Sequence, residues 1–225
     1  MTDSESRDSA QSTDAFAASL PAEYRERFNP AQIAVHAHTS HTRKSRSASV
    51  HATLFPWADR RLRALCVVAD DRAGLLSLIS AALTEIGFDV DSAEAYTRDV
   101  EHSTSPSGHE AVDVFWLRDP EGRVTEERVA EFIRLVTEIL AGRPERSIPP
   151  PAPRATPSLG TTVRFLEDAA GALAVLEVET DDRSGLLWTI TRALYRQNVQ
   201  IVGSKIRTEA TRVYDRFTIV ELDGT

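Results

Sequence analysis

Apolar residues follow two spacings along this chain, and the spacings alternate. Leu65–Ala69 and Leu173–Val178 are short apolar runs of strand composition, and the stretches Ser49–Phe55 and Thr162–Leu166 upstream read the same way. Leu75, Leu76, Ile79, Ala82, Leu83 and Ile86 then recur at helical spacing, as do Leu186, Leu187, Ile190, Ala193 and Leu194. Gly87 and Asn198 tolerate a left-handed backbone and predict where these helices stop. Residues 89–98 and 111–118, and later 199–209 and 213–222, read as strands. One more helix carries Val129, Phe132, Ile133, Val136, Ile139 and Leu140, with Thr125 as its N-cap, Glu126 and Glu127 in its first turn and Gly142 as its stop.

The alternation is a duplication. LCVVADDRAGLL at 65–76 aligns with LEVETDDRSGLL at 176–187, a constant offset of 111 that also holds for Ile79 and Ile190, Leu83 and Leu194, Val90 and Ile201, and Thr97 and Thr208. After a loop nine residues shorter in the second copy, Asp113, Phe115 and Gly122 match Asp215, Phe217 and Gly224. Each copy has the order β-β-α-β-β-α, a ferredoxin-like sandwich with its last strand moved to the front. The predicted class is α+β, with antiparallel sheets carrying helices on one face.

Around this core the sequence predicts a disordered tail over 1–19 and a helical segment over 20–46. A first module follows over 47–142, then a proline-rich linker over 143–158 and a second module over 159–225. Six of the 11 prolines fall in 142–158, which is what sets that boundary. The second module reaches Asp223-Gly224-Thr225 without the counterpart of the Val129–Leu140 helix. An apolar strip is therefore expected, covered by Ala22–His38 with Tyr24, Phe28, Ile33 and Val35, or by a second subunit.

The 225 residues carry a net charge of −8, which disfavours binding to phosphate backbones. One cysteine, no apolar run long enough to span a membrane and a polar N-terminus predict a cytoplasmic protein without disulfides. Cys66, inside an apolar run, is expected to pack as a small hydrophobe. His36, His38, His41 and His51 lie close together but lack carboxylates at ligand spacing, so neither metal nor cofactor is predicted.

The loops DDRAGLL and DDRSGLL, each between a strand and a helix, together with the later Asp-x-Phe strand and a turn ending in Gly, resemble a tandem of ACT domains. Within that family the second-copy stretch VRFLEDAAGALAVLEVETDDRSGLL is similar to the C-terminal ACT pair of the bifunctional uridylyltransferase/uridylyl-removing enzymes of PII nitrogen signalling. The resemblance spans roughly residues 20–225. It implies a regulatory module that binds an amino acid, glutamine being favoured, relays occupancy to a partner protein and pairs as a homodimer.

The loop chemistry has its own rationale. A helix start presents unpaired N–H groups suited to a carboxylate, and glycine lets a ligand approach the backbone. The candidate ligand residues are Asp71, Arg72, Ala73, Gly74 and Leu75 with the strand start Asp89–Val90. Their counterparts are Asp182, Arg183, Ser184, Gly185 and Leu186 with Gln200–Ile201. Asp71 and Asp182 serve either a ligand ammonium or, as plain N-caps, the helix itself. The proline usual in the family is Ala73 in one loop and Ser184 in the other; the Ser184 hydroxyl favours the second site. The Gly-Ser turn with spaced acidic residues and the adjacent His-Asp pair that the related enzyme's catalytic domains need are missing, so a non-catalytic chain is predicted. The reading that competes with a sensor is a scaffold that keeps the fold and binds no ligand.

Overall fold

Both apolar spacings become the elements they predict. A computed structural model describes residues 12–100, 108–142, 160–167 and 174–221. The N-terminal segment supplies α1 (Ala22–Arg27) and α2 (Pro30–Ser45). The first module is β1 (Val50–Phe55), β2 (Leu62–Asp70), α3 (Leu75–Ile86), β3 (Asp89–Asp99), β4 (His109–Arg118) and α4 (Glu126–Leu140). The second is β5 (Thr162–Glu167), β6 (Ala174–Asp181), α5 (Leu186–Arg196), β7 (Val199–Glu209) and β8 (Arg212–Glu221). Thr125 caps α4 by accepting from the Arg128 N–H, and the chain leaves α3 and α5 through left-handed Gly87 and Asn198, as the sequence predicts.

The two sheets join. The strand order is β1-β2-β4-β3-β7-β8-β6-β5, every neighbouring pair antiparallel. One half of that order is the reverse of the other about the β3–β7 junction, where Ser92 pairs with Arg207 and Ala95 with Ser204. A pseudo-two-fold axis thus passes between β3 and β7. Even the bulges repeat, between Val90 and Ser92 and between Ile201 and Gly203.

Helices α3, α4 and α5 cover one face of this sheet, over a core that includes Leu65, Ile79, Phe115, Phe132, Trp188 and Phe217. The other face of the first module is covered as well. There Phe16, Leu20, Tyr24, Phe28 and Ile33 pack on Cys66, Val68, Val112, Val114 and Trp116. Burial on both faces explains why Leu65–Ala69 is a continuous apolar run rather than an alternation. Asn29 starts α2 with a reciprocal cap to Gln32, and Pro30 suits its first position.

A buried ionic cluster pins α2 to the sheet. Glu110 of β4 accepts from Arg43 at 2.7 Å, Arg98 at 2.8 Å and Ser40 at 2.7 Å, and Arg43 also reaches Asp70 at 2.9 Å. Burial alone raises the Glu110 carboxyl, but the Ser40 hydroxyl and the two guanidiniums outweigh it and hold it below the usual range. Of the clustered histidines, His36 is buried and bonded through Nδ1 to the Tyr24 hydroxyl at 2.7 Å. Burial pushes its pKa down to about 3, so it packs as a neutral ring. Cys66 is fully buried, and burial raises its thiol. Among the described residues no cluster of His, Cys, Asp and Glu is placed to hold a metal ion, and no helix is long and apolar enough to cross a membrane.

Two expectations change and a third is met. Residues 12–18 of the expected tail are helical and Phe16 is buried, because Phe16 and Leu20 complete the outer core of the first module; residues 1–11 lie outside the described residues, as does the linker over 143–158. The Ala22–His38 segment covers the outer face of the first module, where its aromatics meet Trp116 and Tyr96, and not the strip expected on the second. That strip is present: Val163 is 53% and Phe165 69% exposed on β5, whereas their repeat counterparts Ala52 and Leu54 lie on β1 beneath α4.

Candidate functional site: two clefts between the modules

Each strand-to-helix loop is built the same way. The Asp71 N–H donates to the His109 carbonyl, Leu75 N–H to Arg72, and Leu78 N–H to Gly74. The second loop repeats this with Asp182 to Thr211, Leu186 to Arg183 and Thr189 to Gly185. Both helices begin at a glycine in the left-handed region, φ +75° at Gly74 and +70° at Gly185. The glycine requirement is therefore conformational first, because an L side chain there costs about 1–2 kcal/mol. Asp71 and Asp182 are not N-caps: no side chain caps either helix.

The pseudo-two-fold places each loop against the other module. The first cleft is lined by Asp71, Gly74, Ser77, Thr97 and Asp113, with Tyr195 and Ile201 arriving from the second module. The second is lined by Asp182, Gly185, Thr208 and Asp215, with Ser80, Thr84 and Val90 arriving from the first. Helices α3 and α5, packed side by side, bring these pieces together. The free volumes are about 20 Å³ and 30 Å³, room for a group the size of one water.

The electrostatics differ between the two. In the first cleft Asp71 accepts from the Thr97 hydroxyl at 3.1 Å, and burial raises its pKa. Asp113 is 3% exposed; burial, then the charge of Asp71, pushes its carboxyl well up. In the second cleft Arg118 takes the place of the threonine, donating to Asp182 at 3.0 Å while also holding Asp89 at 3.1 Å and Asp91 at 3.0 Å. Thr208 turns instead to the Asp91 carbonyl at 2.8 Å. Asp215 is 2% exposed, neither carboxyl oxygen has a hydrogen-bond partner among the described residues, and burial plus the nearby Asp182 raise it to about 8. The Tyr195 ring lies on Gly74, so close that a Cβ there would sit 2.6 Å from its Cδ2; Thr84 stands at the repeat-equivalent place in the second cleft.

Several sequence-predicted residues are placed otherwise than expected. Asp71, Arg72, Gly74 and Leu75 do line the first cleft, and Asp182, Arg183, Gly185 and Leu186 the second. The strand starts are exchanged: Asp89 and Val90 belong to the second loop's cleft and Ile201 to the first's, because the joined sheet sets each β-strand start beside the opposite helix. Ala73, Ser184 and Gln200 line neither cleft, and Ser184 is exposed. The sequence reading missed Asp113 and Asp215 as cleft residues, although the repeated Asp-x-Phe marked them. It also missed Tyr195 and Thr84, which no motif marks.

No family model matches the chain. Curated relatives similar to it include the bifunctional uridylyltransferase/uridylyl-removing enzyme of Rhodospirillum rubrum, 30% identical over 198 residues that make up 83% of this chain and 20% of that protein. That of Ruegeria pomeroyi is 29% identical over 182 residues, 78% of this chain and 19% of the relative. That of Aromatoleum aromaticum is 27% identical over 214 residues, 92% and 23%. Over most of its own length the chain is thus similar to the bifunctional uridylyltransferase/uridylyl-removing enzymes, and it spans about a fifth of theirs.

Proposed function

We propose that the chain is a non-catalytic regulatory module that binds an amino acid, glutamine first among candidates, in the clefts between its two halves. The observation that carries this reading is the crossed construction of the clefts. A ligand at either loop touches both modules, so occupancy and inter-module geometry are the same equilibrium. A cleft with room for one water admits an amino acid only if α3 and α5 shift, and that shift is the signal a partner protein would read. The resemblance of the two loops to the ACT pair of the uridylyltransferase/uridylyl-removing enzymes supports glutamine, and the second cleft is lined by Arg183 as well as by Asp182 and Asp215, groups suited to the carboxylate and the ammonium of a zwitterion. Pairing as a homodimer and a cytoplasmic setting belong to the same reading.

The small volumes favour a second reading, an interaction scaffold of this fold without a ligand. Isothermal titration with glutamine and then the other amino acids, with Trp188 fluorescence in parallel, separates the two. Trp188 is buried three residues past Gly185, beneath the Arg192 guanidinium. Saturable binding that Thr84→Tyr weakens, by installing in the second cleft the ring that lies on Gly74 in the first, supports the sensor. Silence across all amino acids from a folded protein rules it out in favour of the scaffold.

A further inference from the structure

We infer that the second cleft recognises its ligand through a primary ammonium group, held by the Asp215 carboxylate, and that binding expels a proton from that carboxyl. The inference deepens the proposed sensing role and rests on it for the identity of the whole ligand, though not for the ammonium site itself.

Asp215 is the observation that demands a ligand. A carboxyl buried to 2% exposure with neither oxygen accepting a hydrogen bond is costly, and the groups around it supply no remedy. Its sheet neighbours are Val178 on β6 and Ile206 on β7, both apolar. From α3 come Ser80 and Thr84, whose hydroxyls donate to the Leu76 and Ser80 carbonyls of their own helix. From α5 come Leu186 and Leu187. The charged groups lining the cleft are Asp182 and Arg183 from the loop and Asp89 from β3. Asp182 and Asp89 are both engaged by Arg118 at the end of β4. What remains beside Asp215 is a space of about 30 Å³, the size of one ammonium, whose three N–H donors suit an acceptor-only group. In the first cleft the Tyr195 ring lies on Gly74 where the second has Thr84, so the two clefts differ in the space beside their loops.

The proton balance follows from the charge. Burial and the Asp182 charge raise the Asp215 pKa to about 8, so in the empty cleft the carboxyl holds its proton at neutral pH. The ligand enters as R–NH₃⁺, the carboxyl O–H bond breaks, the proton leaves to buffer, and the ammonium N–H groups donate to the carboxylate. Net charge in the cleft rises by none. At pH 7 about 0.9 proton is released per ligand bound, and affinity rises about tenfold per pH unit between pH 6 and 7.5.

Calorimetric titration of glutamine at pH 7 in phosphate and in Tris, buffers of unlike ionisation heat, reads that release directly. Proton release near this value, absent in the isosteric Asp215→Asn variant, which also binds at least tenfold more weakly, is the expected result. Glutamine binding with equal heats in both buffers overturns the inference and leaves the sensing role intact. If glutamine does not bind, ethylammonium chloride is titrated while the Asp215 carboxyl ¹³C resonance is followed. A carboxylate-directed shift keeps the ammonium site and removes the amino-acid reading; no shift overturns the site.

Discussion

Replacing Asp215 by Asn tests the cleft through stability alone, before any ligand is known. The side chain keeps its shape and loses its titration. In the folded chain the carboxyl titrates at about 8 against 3.8 in the unfolded chain, so between those values the folded state holds a proton that the unfolded state has released. The stability this group contributes is fully present below pH 4 and is lost as pH rises through 8. Each pH unit in that window corresponds to about 1.4 kcal/mol. Allowing for relaxation around the charge, the wild type loses about 2–4 kcal/mol relative to Asp215→Asn between pH 5 and pH 8. For a chain of this size that opens a gap in Tm of about 4–16 °C, the variant being the more stable at pH 8. Thermal unfolding followed by circular dichroism at pH 5, 6, 7 and 8, at fixed ionic strength, measures it. Asp113 titrates in both proteins and cancels. Parallel pH profiles for the two proteins would refute the reasoning, because they would mean that the Asp215 carboxyl ionises as freely folded as unfolded.

Four further outcomes are expected. Gly74→Ala costs about 1–2 kcal/mol for its left-handed φ plus a clash with Tyr195; in a urea-unfolding double-mutant cycle, Tyr195→Ala relieves only the clash, and strict additivity would contradict the contact. Glu110→Gln leaves Arg98 without its carboxylate and Arg43 with Asp70 alone and costs about 3–5 kcal/mol, with faster hydrogen exchange over residues 16–45; unchanged exchange there would show that the cluster does not pin the N-terminal helices. Phe165→Ser changes stability by less than about 0.5 kcal/mol, whereas Leu54→Ser at the equivalent position under α4 costs about 1–3 kcal/mol; equal losses would mean that β5 is covered. The His36 ring stays neutral down to about pH 4 in a nitrogen-detected NMR titration, because burial lowers its pKa to about 3; the stability contributed by this neutral ring is complete above pH 6.5 and is lost as pH falls toward 3, and titration near 6.5 would place the ring in water.

The limits of sequence reading fall where two distant segments meet. The loops, their glycines and the aspartate of each Asp-x-Phe are repeated in sequence, so the pieces of each cleft were visible at a constant offset. Which pieces share a cleft was not, because Asp89 and Val90 are closer in sequence to the loop they do not serve. Likewise Tyr24, Phe28 and Ile33 announced apolar positions in a helical segment, and the unbroken apolar run of β2 a sheet buried on both faces, but that the one covers the other, through Tyr96 and Trp116, is a contact between distant segments that no local pattern states.

By itself the sequence determined the elements, the duplication and the stops at Gly87 and Asn198, since periodicity and backbone freedom are local properties of the chain. Only the tertiary structure decided that the two sheets merge through β3 and β7, exchanging their strand starts, and that the N-terminal helices cover the first module. It also decided that Asp215 has no hydrogen-bond partner among the described residues while Arg118 is drawn to Asp182. Those outcomes depend on burial and on charges brought together from opposite repeats, which are set by how the halves pack rather than by any stretch of either one.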